Sequence, residues 1–110
     1  MIRALPFVAL AALTPIAQAA DKPSGQAVYE HWCAPCHAPG PGHPGTQSLQ
    51  IKYGGKTSAV LLERTDLSPQ AVATFVRQGI LLMAPFRKTE ISDAELTALT
   101  AYVAQNFKSK

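Results

Sequence analysis

Apolar positions recur at helical spacing in three stretches of the chain, each with its own start signal. Val28 and Trp32 lie four apart, and Ser24 is placed to cap a helix running from Gly25 to Trp32, directly into Cys33. Ser68-Pro69 opens a second helix, with serine as cap and proline at the first helical position. Val72, Phe75 and Val76 form its apolar face, and Gly79 stands as its stop. Ser92-Asp93-Ala94-Glu95 is a capping box that starts the third, whose stripe is Leu96, Leu99 and Val103, widened by Tyr102. A weaker helix is expected over Ser58 to Glu63, after a turn at Gly54-Gly55. No strand-like alternation and no internal repeat occurs, so the pattern predicts an all-α domain of three to four helices.

The segments between the helices are unusually long. Ala38 to Thr46 reads A-P-G-P-G-H-P-G-T and is expected to be irregular. Ile80 to Lys88 lacks polar alternation and contains Pro85, which predicts a loop packed against something apolar. Long loops in a small domain usually wrap a ligand.

The first 19 residues have a different character. Arg3 precedes an apolar run from Ala4 to Ala12, and Ala17-Gln18-Ala19 supplies small residues three and one positions before a cut. This is the pattern of a secretory signal peptide over residues 1–19, cleaved after Ala19 in preference to Ala20. Pro6 and Pro15 interrupt an apolar stretch well short of the roughly 20 residues that a membrane span needs. The mature domain is then residues 20–110, exported to the periplasm, an oxidising compartment.

Composition narrows the function further. A chain of 110 residues with 47% hydrophobic and 15% charged side chains makes one small domain. Its net charge of +3 is spread without any basic cluster denser than Arg87-Lys88, so nucleic-acid binding has no electrostatic footprint. A domain of this size is near the limit at which an unaided apolar core suffices. Reinforcement by a cofactor would answer that need.

The two cysteines form one motif, Cys33-Ala34-Pro35-Cys36-His37. This is the attachment sequence for a c-type haem, in which each thiol adds to a vinyl group and the next histidine binds iron. A thioredoxin-like site would require a βαβ setting, a zinc site would require a second ligand pair, and a disulfide across two residues closes a strained loop. Haem is the reading that fits.

The iron's other face needs a ligand, and beyond the initiator the chain has one methionine, Met83, in the apolar loop before the last helix. An isolated methionine in an apolar stretch ordinarily fills a core. Given a haem, the expected axial pair is His37 and Met83, with His31 and His43 as competitors. His31 is expected to face solvent, and His43 is too close along the chain to His37 to reach the opposite face easily. A thioether favours ferrous iron, and two filled axial positions favour electron transfer over catalysis.

With these residues in place the sequence resembles the class I, monohaem cytochromes c across essentially the whole mature chain. Gly25, Tyr29 and Cys33 stand at that family's spacing, followed by Cys36-His37. The resemblance implies a close crossing of the first and last helices, with Gly25 and Tyr29 against Leu99 and Tyr102. It also implies a proline after the haem histidine whose neighbourhood holds the imidazole N–H through a backbone carbonyl, with Pro44 preferred and Pro41 as the alternative. The usual proline directly after the methionine is displaced here, because Ala84 precedes Pro85. The stretch Met83 to Lys88 is similar to the small cytochrome subunits that serve periplasmic flavoprotein dehydrogenases of the 4-cresol dehydrogenase (hydroxylating) type.

The expected function is therefore a periplasmic one-electron carrier, not an enzyme, passing electrons from a dehydrogenase to a downstream cytochrome or oxidase. Lys52, Lys56, Arg64, Arg87 and Lys88 are candidates for the docking rim. Two rivals remain at this stage. One is a haem-based sensor or peroxidase in which Met83 dissociates; the other is a mainly structural subunit of a dehydrogenase complex.

Overall fold

The structure is a computed structural model that describes residues 22–110; the expected signal peptide lies outside the described residues. Helix α1 spans Gly25–Val28, followed by a π-helical turn over Tyr29–Cys33 and helix α2 over Ala34–His37. Helix α3 spans Pro44–Tyr53, a 3-10 turn covers Leu61–Glu63, α4 spans Pro69–Gln78 and α5 spans Asp93–Val103. The described residues form no strand, only an isolated antiparallel bridge between Ile80 and Met83. The fold is all-α, as the periodicity predicts.

Each expected start signal works locally. Ser24 Oγ accepts from the Ala27 amide at 3.2 Å, Ser68 Oγ from the Ala71 amide at 3.1 Å, and Ser92 Oγ from the Glu95 amide at 3.2 Å. Glu95 returns the contact, accepting the Ser92 amide at 2.7 Å and completing the capping box. Helix α4 stops at Gly79, whose φ of 68° lies in the left-handed region and whose N–H donates to the Phe75 carbonyl at 2.8 Å.

The core is one cluster where α1, its π turn, α4 and α5 meet: Val28, Tyr29, Leu67, Val72, Val76, Ile91, Leu99 and Val103. Ile91 and Leu99 are fully buried. Gly25 sets the distance between α1 and α5, because a Cβ there would run into the Ala98 carbonyl and the Tyr102 Cβ. Tyr29 and Tyr102 stack at 5.6 Å in a tilted arrangement. The crossing implied by the class I resemblance is thus present, through Gly25 and Tyr29 against α5.

Four details differ from the sequence expectations. The first helix does not end at Trp32 but continues to His37, with one wide turn inserted where Ala34 N–H reaches back to the Tyr29 carbonyl. Regular structure resumes at Pro44 instead of after Thr46, so α3 is a helix the pattern did not announce. It lacks an apolar stripe, since Ile51 is 86% exposed, and the core does not select its face. The expected helix over Ser58 to Glu63 shrinks to the 3-10 turn Leu61–Glu63, because Ser58 Oγ turns inward to accept from the Val60 amide and to donate to Glu63.

The fourth difference concerns the loop after α4. Its tip does not pack on the apolar core: Ile80 and Met83 pair through reciprocal backbone bonds of 3.0 and 2.9 Å, and this tight turn throws Leu81 and Leu82 outward, 92% and 99% exposed. Only the far end of the loop, at Phe86 and Ile91, reaches the core cluster.

Candidate haem-attachment site

The Cys-His motif sits at the end of the first helical run, so the same turn that closes the helix also displays its chemistry. Cys33 is half-buried and Cys36 exposed, and both are free thiols. Burial, with a smaller contribution from a charge on Cys36, pushes the Cys33 thiol up to about 11. His37 lies one residue beyond. Burial lowers its pKa, which favours the neutral imidazole that a metal needs as a ligand.

The loop beyond His37 is folded back on the motif by three side chains. Tyr29 Oη donates to the His37 carbonyl at 3.2 Å, Thr46 Oγ1 donates to the Ala38 carbonyl at 2.8 Å, and His43 Nδ1 lies 3.0 Å from the Pro35 carbonyl. Thr46 is fully buried. These bonds press the first turn of α3 onto the imidazole. A Cβ on Gly45 would come within 2.7 Å of the Cys36 carbonyl oxygen and of His37 Cε1, and within 2.8 Å of His37 Nδ1.

The bond expected from Pro44 to the histidine is not made. Pro44 occupies the first turn of α3, where a carbonyl points along the helix axis, and its oxygen accepts from Ser48 Oγ at 2.8 Å. Pro41 does not replace it, because His37 Nδ1 is buried without a hydrogen-bond partner among the described residues. Gly45 lets α3 lie close against the ring, and Thr46 fixes the chain just beyond His37 by its bond to Ala38; the sequence reading passed over both. A Pro-Gly pair opening a helix was the available signal.

Of the two histidine competitors, His31 faces solvent as expected. His31 stacks edge-on against Trp32 at 4.7 Å, while His43 Nδ1 lies 3.0 Å from the carbonyl of Pro35 within the motif.

Met83 is half-buried on a separate segment, the loop between α4 and α5. That loop is fastened to the cysteine helix by an edge-to-face contact of Phe86 on Trp32, ring centroids 5.7 Å apart. It is fastened to α4 by the Phe86 amide, which donates to the Val76 carbonyl at 2.7 Å. Gly79 lets the chain leave α4 at once, since a Cβ there would lie 2.5 Å from the Met83 carbonyl oxygen.

Among the candidate docking cations, Lys52 and Lys56 are exposed. Arg87 is exposed but lies 3.7 Å from Glu90, and Lys88 pairs with Asp93 at 3.0 Å. Arg64 is not a rim residue. Its side chain is 11% exposed, forked onto Asp66 at 2.8 and 2.9 Å, bonded to Tyr53 Oη at 3.1 Å and laid over the Tyr53 ring.

The residues present fit a covalently attached haem. Two free thiols and a half-buried imidazole whose pKa is lowered by burial share one helical turn, with the Nδ1 side of the ring backed by Gly45. Among the described residues no three His, Cys, Asp or Glu side chains gather as a metal cage, and no helix is long and apolar enough to cross a membrane.

No curated protein sequence gives a significant match. Similar solved structures include OmcF, outer membrane cytochrome F from Geobacter sulfurreducens, and cytochrome c6C from Synechococcus sp. PCC 7002. The first is 19% identical, covering 77% of this chain and all of that one, with a TM-score of 0.49. The second is 28% identical, covering 74% of this chain and 90% of that one, with a TM-score of 0.48. A family model described as cytochrome c oxidase, cbb3-type, subunit III matches residues 20–103, nearly the whole described chain, and the protein belongs to that cytochrome c family.

Proposed function

We propose that this protein is a periplasmic one-electron carrier whose haem c is attached through Cys33 and Cys36 and held axially by His37 and Met83. The observation that carries the reading is the shared helical turn that presents both free thiols and a neutral imidazole together. Membership of a cytochrome c family implies a haem c and redox partners, and it favours electron transfer over catalysis.

When bound, the haem supplies an iron that takes up one electron and gives it back. The chain's part is to hold and screen that iron. Cys33 and Cys36 would hold the haem as thioethers, each thiol adding its sulfur and its proton across a vinyl group. His37 offers a neutral imidazole kept in place by Tyr29, Gly45 and Thr46. Met83 offers a soft sulfur that favours the ferrous state, and burial opposes the additional charge of the ferric one.

The exposed Lys52, Lys56, Arg87 and Lys88 would act on encounter and orientation with partners more than on affinity. The donor we propose is a flavoprotein dehydrogenase of the 4-cresol dehydrogenase (hydroxylating) type. That assignment is supported by the resemblance over Met83 to Lys88. Export follows from the signal-peptide pattern of residues 1–19.

The test is expression in a host competent for haem attachment. The expected product carries haem that survives denaturation, loses it in Cys33→Ala/Cys36→Ala, and accepts one electron per chain in a reductive titration. Its ferrous form is expected to bind carbon monoxide slowly or not at all at neutral pH. Rapid binding would favour the sensor or peroxidase alternative, and a chain that exchanges no electrons would favour the structural-subunit alternative.

A further inference from the structure

The loop that carries Met83 has few apolar anchors of its own, since its tip is exposed and only Phe86 and Ile91 reach the core. It is nevertheless gripped at one point. The Arg77 guanidinium, on the last turn of α4, donates to the Phe86 carbonyl at 3.2 Å, to the Ile91 carbonyl at 2.8 Å and to Asp93 Oδ1 at 2.9 Å. One side chain therefore joins the end of α4, both ends of the segment between Phe86 and Ile91, and the first turn of α5. Phe86 is held on both sides of its peptide unit by neighbouring residues of α4, its amide by Val76 and its carbonyl by Arg77. Phe86 lies three residues from Met83.

We propose that Arg77 is a positioning residue for the sixth ligand, and that its three-way grip keeps Met83 from leaving the iron. This rests on the His37/Met83 reading given above. The guanidinium is suited to the task because it is planar, always charged and carries five donors in a fixed fork, so it can serve two carbonyls and a carboxylate at once. Its side chain is only 22% exposed, which limits competition from water for those bonds. Asp93 also receives Lys88 at 3.0 Å, so the anchor is itself held from the loop side.

A simpler role for Arg77 would be to place positive charge at the C-terminal end of α4. The two roles separate by substitution. Lysine keeps the charge but cannot reach both carbonyls and the carboxylate together.

The experiment titrates the oxidised holoprotein with imidazole and follows loss of the far-red sulfur-to-iron band as Met83 is displaced. An external ligand binds in proportion to the fraction of molecules whose methionine is off, so the apparent Kd reports that fraction. Arg77→Ala is expected to lower the apparent Kd about tenfold or more, and Arg77→Lys to stay closer to Arg77→Ala than to the unaltered protein. Ser68→Ala, which removes the cap of α4 and destabilises the whole domain, is expected to leave the Kd unchanged. Should Arg77→Ala fail to fold, Asp93→Ala removes one of the three contacts and is expected to shift the Kd in the same direction by less.

An unchanged Kd in Arg77→Ala or, where that variant does not fold, in Asp93→Ala, full rescue by lysine, or an equal shift in Ser68→Ala would overturn the proposal. Absence of the far-red band from the unaltered oxidised protein would instead overturn the His37/Met83 reading, and the role of Arg77 with it.

Discussion

Phe86 meets Trp32 edge to face, ring centroids 5.7 Å apart and planes 72° from parallel. Trp32 adjoins Cys33 and Phe86 lies three residues past Met83, so this pair ties the attachment helix to the methionine loop. Such pairs contribute about 0.5–1.5 kcal/mol beyond the area they bury. A double-mutant cycle with Trp32→Leu and Phe86→Leu, read by denaturant unfolding, is expected to give a coupling energy of about 1 kcal/mol. Additive effects would show that the rings are merely neighbours.

Gly25 governs the packing of α1 on α5. Its Cα faces the Ala98 carbonyl so closely that even a methyl group would force the helices apart. Overpacking of this kind costs roughly 1–3 kcal/mol. In addition, α1 feeds directly into the cysteine turn. Gly25→Ala is therefore expected to lower the unfolding midpoint and the yield of haem-loaded protein together, as measured by denaturant titration and by absorbance. An unchanged midpoint would contradict the close crossing.

How much of this was legible in the sequence differs by element. The capping box at Ser92 and Glu95 and the Ser68-Pro69 start are local signals, and both were readable because their hydrogen bonds span three residues. Cys33, Cys36 and His37 were readable for the same reason. Helix α3 was not, because its inner contacts come from Gly45 and Thr46 at one end while Ile51 faces solvent, leaving no periodic stripe. The grip of Arg77 was equally invisible, since its partners Phe86, Ile91 and Asp93 are distant in sequence and two of them offer only backbone oxygens. Pro44 opens α3 with its carbonyl accepting from Ser48 Oγ, and the close approach of its neighbour Gly45 to the imidazole is a contact between separate helices that no local pattern marks.

Thr46 shows what holds the loop behind the histidine. It is fully buried and its hydroxyl donates to the Ala38 carbonyl at 2.8 Å. Thr46→Val keeps the shape and removes the donor, leaving a carbonyl without its partner, at a cost of about 1–3 kcal/mol. Thr46→Ser keeps the donor and is expected to retain more of the hydrogen bond's contribution. Thermal unfolding of the two variants compares them, and equal stability of Val and Thr at this position would contradict the assignment.

Acid is expected to weaken the start of α5. The Ser92 amide, and then its hydroxyl, hold Glu95 below the ordinary carboxylate range, while Lys88 and then Arg77 do the same for Asp93. A carboxylate with a lowered folded pKa stabilises the fold fully above its unfolded value. That contribution is lost as the pH falls through the ordinary values of 4.5 and 3.8 toward the lowered ones. The melting temperature should therefore decline as the pH drops below about 5. Glu95→Gln, which can still cap, is expected to decline less steeply, and an identical acid limb in both proteins would remove Glu95 from the account.

The central claim is a haem iron held between His37 and Met83, and the most direct measurement is the far-red absorbance of the oxidised holoprotein. The account predicts a weak sulfur-to-iron band that is present in the unaltered protein and in His31→Ala and His43→Ala, and absent from Met83→Ala. An oxidised protein that lacks the band, or a band that survives in Met83→Ala, would contradict it.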